Sequence, residues 1–154
     1  MTKRFERIPN NMGKKNICIY IRESKGSESG LKRQEDILTT ELAKKYFGDS
    51  NIKVFKDSCG CINTDRKGLK ELLEFIKYNA TQYVLVTHSN RIYRVYNEKG
   101  LEELIKIRNQ ILPNGTGIIS YDEEMIMESD GNSYPLCHKF RDFKKVKTVW
   151  KTSI

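Results

Sequence analysis

Three short stretches of the chain concentrate residues suited to handling an anion. The first is Tyr20-Ile21-Arg22-Glu23-Ser24. In a strand, residues two apart share a face, so Tyr20 and Arg22 lie together and Ser24 stands at the strand's mouth. The second is Asp65-Arg66-Lys67-Gly68-Leu69, and the third is Asn90-Arg91-Ile92-Tyr93-Arg94. Arginine stays charged, and its planar fork matches phosphate oxygens. Several arginines around one phosphate would stabilise the added negative charge of a phosphoryl-transfer transition state. They would also favour the alkoxide of a neighbouring serine. The sequence has no Gly-x-x-x-x-Gly-Lys-Ser/Thr phosphate loop and no Asp/Glu cluster suited to Mg²⁺. The chemistry these residues support is metal-free phosphoryl transfer through a covalent serine.

Taken singly, each residue has a plainer use. A lone arginine commonly makes a surface ion pair, and a serine after a strand commonly caps a turn. Arg91 and Arg94 also have the spacing to line one side of a helical turn. What matters is whether the fold brings them together.

The elements that must do so are readable from periodicity. Residues 16–22 (NICIYIR) alternate and are rich in isoleucine, which predicts a strand. A polar, glycine-rich loop follows, then helical spacing from Leu31 to Phe47 with Gly48 as a stop. A short strand at 52–55, a long loop and a helix marked by Leu69, Leu72, Leu73, Phe75 and Ile76 come next. Residues 82–88 (QYVLVTH) read as a strand buried on both faces. Leu101, Leu104, Ile105, Ile107 and Ile111 mark a third helix, and 116–121 a fourth strand. This order predicts an α/β fold with a mainly parallel sheet of four to five strands flanked by helices. The strands are expected to end at Arg22, Phe55, His88 and Tyr121, so the three stretches gather beyond one edge of the sheet, where such folds bind ligands. No element is assigned after Asp122.

The 154-residue chain has the length of one domain and carries a net charge of +8. Residues 1–15 contribute +4 and residues 139–151 contribute +5, which leaves the body at −1. A neutral body with basic ends suits a polyanionic partner, although such ends also serve solubility alone. No apolar run is long enough to span a membrane, and no signal peptide is evident, so a cytoplasmic protein is expected. Cys18 reads as a small buried hydrophobe. Cys59, Cys61, Cys137 and His138 lack chelating spacings, so no metal site is expected.

The motifs resemble the catalytic domain of the serine site-specific recombinases, the resolvase/invertase superfamily. Tyr20-Ile21-Arg22-Glu23-Ser24 matches that family's Tyr-Ala-Arg-Val-Ser, and Gly30-Leu31-Lys32-Arg33-Gln34 its Ser-Leu-x-x-Gln. Asp57, Cys59-Gly60 and Asp65-Arg66-Lys67-Gly68-Leu69 match its Asp, Ser-Gly and Asp-Arg-(Pro/Lys)-Gly-Leu. His88-Ser89-Asn90-Arg91-Ile92-Tyr93-Arg94 matches its Lys-Leu-Asp-Arg-Leu-x-Arg, and Gly115 to Tyr121 its glycine-led strand. The resemblance implies a resolvase-like catalytic domain over residues 16–127, between a basic extension (1–15) and a basic tail (128–154).

It also implies that Ser24 attacks a DNA phosphodiester, leaving a 5′-phosphoserine link and a free 3′-hydroxyl. Arg22, Arg66, Arg91 and Arg94 would bind the scissile phosphate, with Tyr20, Gln34 and Asn90 in support. No cofactor is implied. The partners implied are DNA together with a second copy, a partner recombinase or a DNA-targeting protein. In the tail, Lys139, Arg141, Lys144, Lys145 and Lys147, interleaved with Phe140, Phe143 and Trp150, are candidates for contacting the DNA backbone.

Departures from the family pattern define an alternative. Asn90 stands where the family has Asp, and it carries neither charge nor a titratable proton. Cys59 replaces the serine of the Ser-Gly pair, and Glu23 places a carboxylate beside the nucleophile. Pro135 and the absence of a sustained apolar stripe disfavour the family's long helix after the fourth strand. These features suit a catalytically impaired relative that binds DNA or a full-length recombinase and regulates it. The complete set of Ser24 and four arginines suits the enzyme.

Overall fold

A computed structural model describes residues 16–23, 28–44, 47–48, 50–58, 66–93 and 97–135. Strand β1 (Asn16–Glu23) is followed by helix α1 (Glu28–Ile37), which runs on into a π-helical turn (Leu38–Ala43). Strand β2 (Asn51–Ser58), helix α2 (Lys67–Tyr78) and strand β3 (Thr81–Val86) come next. A 3₁₀ turn (Ser89–Arg91), helix α3 (Glu98–Ile111) and strand β4 (Gly117–Ser120) follow. Two short strands, β5 (Met125–Met127) and β6 (Ser133–Pro135), complete the described chain.

The strands form one sheet in the order β2-β1-β3-β4-β5-β6. The first four are parallel, and β5 and β6 add antiparallel. The sheet is thus larger than the four to five strands expected, because β5 and β6 are only three residues each and carry no readable periodicity. Residues 133–135, assigned above to the tail, form β6.

Side chains of β1 alternate between two cores. Ile17, Ile19 and Ile21 pack with Leu38, Leu42 and Ala43 on the α1 side. Cys18 and Tyr20 pack with Leu69, Leu72, Leu104 and Ile107 on the α2/α3 side. Strand β3 is buried throughout: Tyr83 to Val86 form its apolar run, and the polar Thr81 and Gln82 are buried with it. Burial also pushes the Cys18 thiol up to about 12, so it stays protonated, as a small apolar group would.

Strands β1 and β4 end within one residue of expectation, at Glu23 and Ser120, and two strand ends differ by more. Strand β2 continues three residues past Phe55, pairing Arg22 with Asp57 and Glu23 with Ser58. The polar Lys56-Asp57-Ser58 hid this, since β2 lies at the sheet edge and alternates between buried and exposed positions. Strand β3 stops at Val86, because His88 already caps the 3₁₀ turn.

The chain turns to one side of β1 to build β2 and to the other to build β3. The carboxyl ends of β1 and β3 therefore flank the point where strand order reverses, the usual crevice for a ligand in such sheets.

Candidate functional site

At that crevice the 3₁₀ turn after β3 is held by two buried arginines from different elements. Arg22, at the end of β1, donates Nε to the Arg91 carbonyl at 2.9 Å and Nη2 to the Asn90 carbonyl at 2.7 Å. Arg66, just ahead of α2, donates Nη1 to the same Arg91 carbonyl at 3.0 Å and Nη2 to the Ile92 carbonyl. Three consecutive carbonyls at the end of a short helical turn thus meet cationic donors, which suits both their open lone pairs and the negative end of the turn. Arg22 is 3% exposed and Arg66 1%. The Arg66 guanidinium also lies 5.9 Å from the ring centres of Tyr20 and Tyr93, an arrangement that favours a desolvated cation.

The opposite side of the turn is held by Glu123, in the connection between β4 and β5. Its carboxylate accepts the Ser89 amide at 2.8 Å, the Ser89 hydroxyl at 3.0 Å and the Ser120 hydroxyl at 2.6 Å. His88 Nδ1 accepts the Asn90 amide at 3.1 Å.

Arg66 owes its position to the start of α2. Asp57 accepts the amides of Gly68 and Leu69, each at 2.8 Å, and so caps a helix whose own preceding residue offers no capping side chain. The Tyr20 hydroxyl donates to the same carboxylate at 2.7 Å. Burial first of all raises the Tyr20 hydroxyl far above its ordinary pKa, with Arg66 pulling the other way and Asp57 adding to the rise. Gly68 is required here, since a Cβ would collide with the Lys56 carbonyl.

Arg91 is the more accessible arginine, with 19% of its side chain exposed. Its Nη1 donates to the Arg22 carbonyl at 3.1 Å and lies 3.3 Å from Glu23 Oε1. Gln34 is 1% exposed and bridges α1 to the end of β1. Its amide nitrogen donates to the Arg22 carbonyl and to Glu23 Oε2, each at 3.0 Å, and its oxygen faces the Arg22 amide at 3.4 Å.

The structure therefore brings Tyr20, Arg22, Gln34, Arg66, Asn90 and Arg91 together at one sheet edge. Ser24 and Arg94 lie outside the described residues, as do Asp65, Cys59, Cys61, Cys137, His138, Phe140, Phe143, Trp150 and the tail residues Lys139, Arg141, Lys144, Lys145 and Lys147. In this state Arg22 and Arg66 direct donors to the backbone of the turn rather than offering all of them outward. Among the described residues of this site, three buried polar atoms have no hydrogen-bond partner: Arg66 Nε, Arg91 Nε and the Asn90 side-chain oxygen. Buried polar atoms of this kind are uncommon in folded proteins.

Removing Arg66 is expected to weaken the fold itself. Arg66→Ala takes a donor from each of two buried carbonyls and leaves a cavity between Tyr20 and Tyr93. The expected loss is about 4 kcal/mol, read as a fall of roughly 2 M in the urea midpoint. A shift under about 0.5 M would show that the buried guanidinium contributes little.

Comparison with known proteins gives one family. The family model described as the resolvase N-terminal domain matches residues 17–146. The C-terminal catalytic domain of ISC1926 TnpA, an IS607-like serine recombinase, is 26% identical with a TM-score of 0.58, over 68% of this chain and 68% of that one. The N-terminal catalytic domain of TP901-1 integrase is 20% identical with a TM-score of 0.62, over 73% and 82%. A resolvase family site-specific recombinase from Streptococcus pneumoniae is 16% identical with a TM-score of 0.55, over 88% and 83%. No curated protein matches the chain.

Proposed function

The chain belongs to the resolvase family, and from that premise we propose that it cleaves and rejoins DNA strands in site-specific recombination or transposition. One observation carries this reading. Arg22, Arg66 and Arg91, from three separate elements, converge at the end of β1, one residue before Ser24 in the chain. In the proposed reaction Ser24 Oγ loses its proton and bonds to phosphorus, and the bond from phosphorus to the 3′ oxygen breaks. The 3′ oxygen leaves with a proton, and the 5′ phosphate stays on the serine. The arginines hold the phosphate and offset its growing charge. No cofactor is required, because the phosphoserine bond stores the energy for rejoining. Asn90 and Tyr20 support the 3₁₀ turn and the start of α2 respectively.

DNA is the substrate in this reading, with the basic tail contacting its backbone. A second copy, a partner recombinase or a DNA-targeting protein completes the assembly. Among the described residues no helix is long and apolar enough to cross a membrane, and we place the activity in the cytoplasm.

A second reading is favoured by Glu23 on Arg91 and by the amide at position 90: a catalytically impaired protein that binds DNA or a full-length recombinase and regulates it. One experiment separates the two. The protein is mixed with an end-labelled duplex library, quenched in denaturant and digested. The enzyme reading expects label linked to the peptide containing Ser24. No linked label, together with co-purification of a recombinase, would establish the regulator instead.

A further inference from the structure

Glu23 lies on the α1 side of β1, and its carboxylate is already bound. Oε2 accepts the Gln34 amide at 3.0 Å, and Oε1 lies 3.3 Å from Arg91 Nη1. Gln34 is fixed for this task by its second pair of contacts, to the backbone of Arg22. Space for the carboxylate comes from Gly30 in the first turn of α1. A Cβ on Gly30 would stand 2.6 Å from both Glu23 Cγ and Oε2. An amide donor, a guanidinium donor and a missing side chain together make a seat for an oxyanion.

We propose that this seat takes a phosphate oxygen, and that Glu23 is its resident occupant, which the phosphate must displace. For the identity of the ligand, a DNA phosphodiester, the proposal rests on the function proposed above; the seat itself rests on the geometry alone. A carboxylate and a phosphate oxygen require the same N–H donors, so Arg91 Nη1 and Gln34 Nε2 cannot serve both fully. With Glu23 in place, an arriving phosphate also meets a like charge. Displacement does not require opening the core, because the Glu23 and Arg91 side chains are 17% and 19% exposed. Arg22 and Arg66 offer no such access. Glu23 thereby sets the threshold at which Arg91 is released to a ligand.

Glu23→Gln tests this, since it keeps the shape and one of the two acceptor oxygens while removing the charge. Affinity is measured by fluorescence anisotropy with a short labelled duplex. In parallel, the Arg91 Nε–H resonance is followed during titration with inorganic phosphate. Both affinities are expected to rise about five- to tenfold, the difference between a charge-assisted competitor and a neutral one. Glu23→Ala, which vacates the space beside Gly30, must change them in the same direction. In Glu23→Gln/Arg91→Ala the gain must vanish. A gain that persists without Arg91 would reflect net charge only and overturn the proposal. So would unchanged or weaker phosphate binding in Glu23→Gln. Tighter phosphate binding at Arg91 without any gain for duplex would uphold the seat and reject DNA as its ligand.

Discussion

Ser24→Ala is expected to abolish covalent linkage to DNA, by about 10⁴-fold or more, as for nucleophile removal elsewhere. Three other hydroxyls beside the turn offer no substitute nucleophile. The Tyr20 hydroxyl donates to Asp57, and burial holds its proton on. The Ser89 and Ser120 hydroxyls both donate to Glu123, and both residues are buried. Each is an engaged donor of a structural hydrogen bond, and none has an open approach to a phosphate. Re-routing of the reaction through one of these neighbours is therefore not expected. Ser24→Cys, which keeps a nucleophile of different reach, should retain a small residual adduct. The measurement is label linked to protein after a denaturing quench, at matched DNA occupancy. Linkage that survives in Ser24→Ala at native levels would remove Ser24 as the nucleophile.

Much of the frame behind this expectation is legible in the sequence, for identifiable reasons. Strand β3 announces itself through the unbroken apolar run Tyr83-Val84-Leu85-Val86, which burial on both faces favours. Strand β1 announces itself because Ile17, Ile19 and Ile21 alternate with Cys18 and Tyr20 between two cores. Arg22 then stands out as a charge at the end of a buried strand. What spacing does not carry is the direction in which a guanidinium spends its donors. Phosphate oxygens and backbone carbonyls attract the same groups, and only the folded turn reveals that Arg22 and Arg66 hold the carbonyls of residues 90–92. Asp57 is visible as a motif residue, yet its role needs the extension of β2 past Phe55, which its polar neighbours conceal. Glu123 belongs to the run Asp122-Glu123-Glu124, and no pattern there marks which carboxylate turns inward. Its signal was positional: an acidic run directly after a strand at the ligand-binding edge. The sequence places the Glu23 carboxylate beside the nucleophile; the folded chain adds that it has donors of its own to sit on.

Asn90→Asp is expected to raise the rate of strand cleavage by about 10²-fold or more, the usual contribution of a positioned acid–base group. The leaving 3′ oxygen departs as an alkoxide unless a proton reaches it, and an amide has none to give near neutral pH. A carboxylic acid at the same place does. The side-chain oxygen of Asn90 is buried and unpartnered, so the position already tolerates an acceptor with no donor facing it. Burial there favours the protonated form that a general acid needs, and the neighbouring guanidiniums oppose it. The sign of the pH dependence follows. A general acid works while protonated, so the gain in Asn90→Asp should be largest at low pH and fade as pH rises through the new group's pKa. The native protein should lack that descending limb. Single-turnover cleavage rates across pH, with DNA held at saturating concentration, separate this from a change in binding. The substitution also carries a stability cost at high pH, where the buried carboxylate is forced to ionise, so unfolding midpoints are measured over the same range. A native rate equal to that of Asn90→Asp at every pH, with both proteins folded and saturated, would mean that the proton reaches the leaving oxygen by another route. The amide at position 90 would then be no handicap, and the main sequence argument for an impaired enzyme would fall.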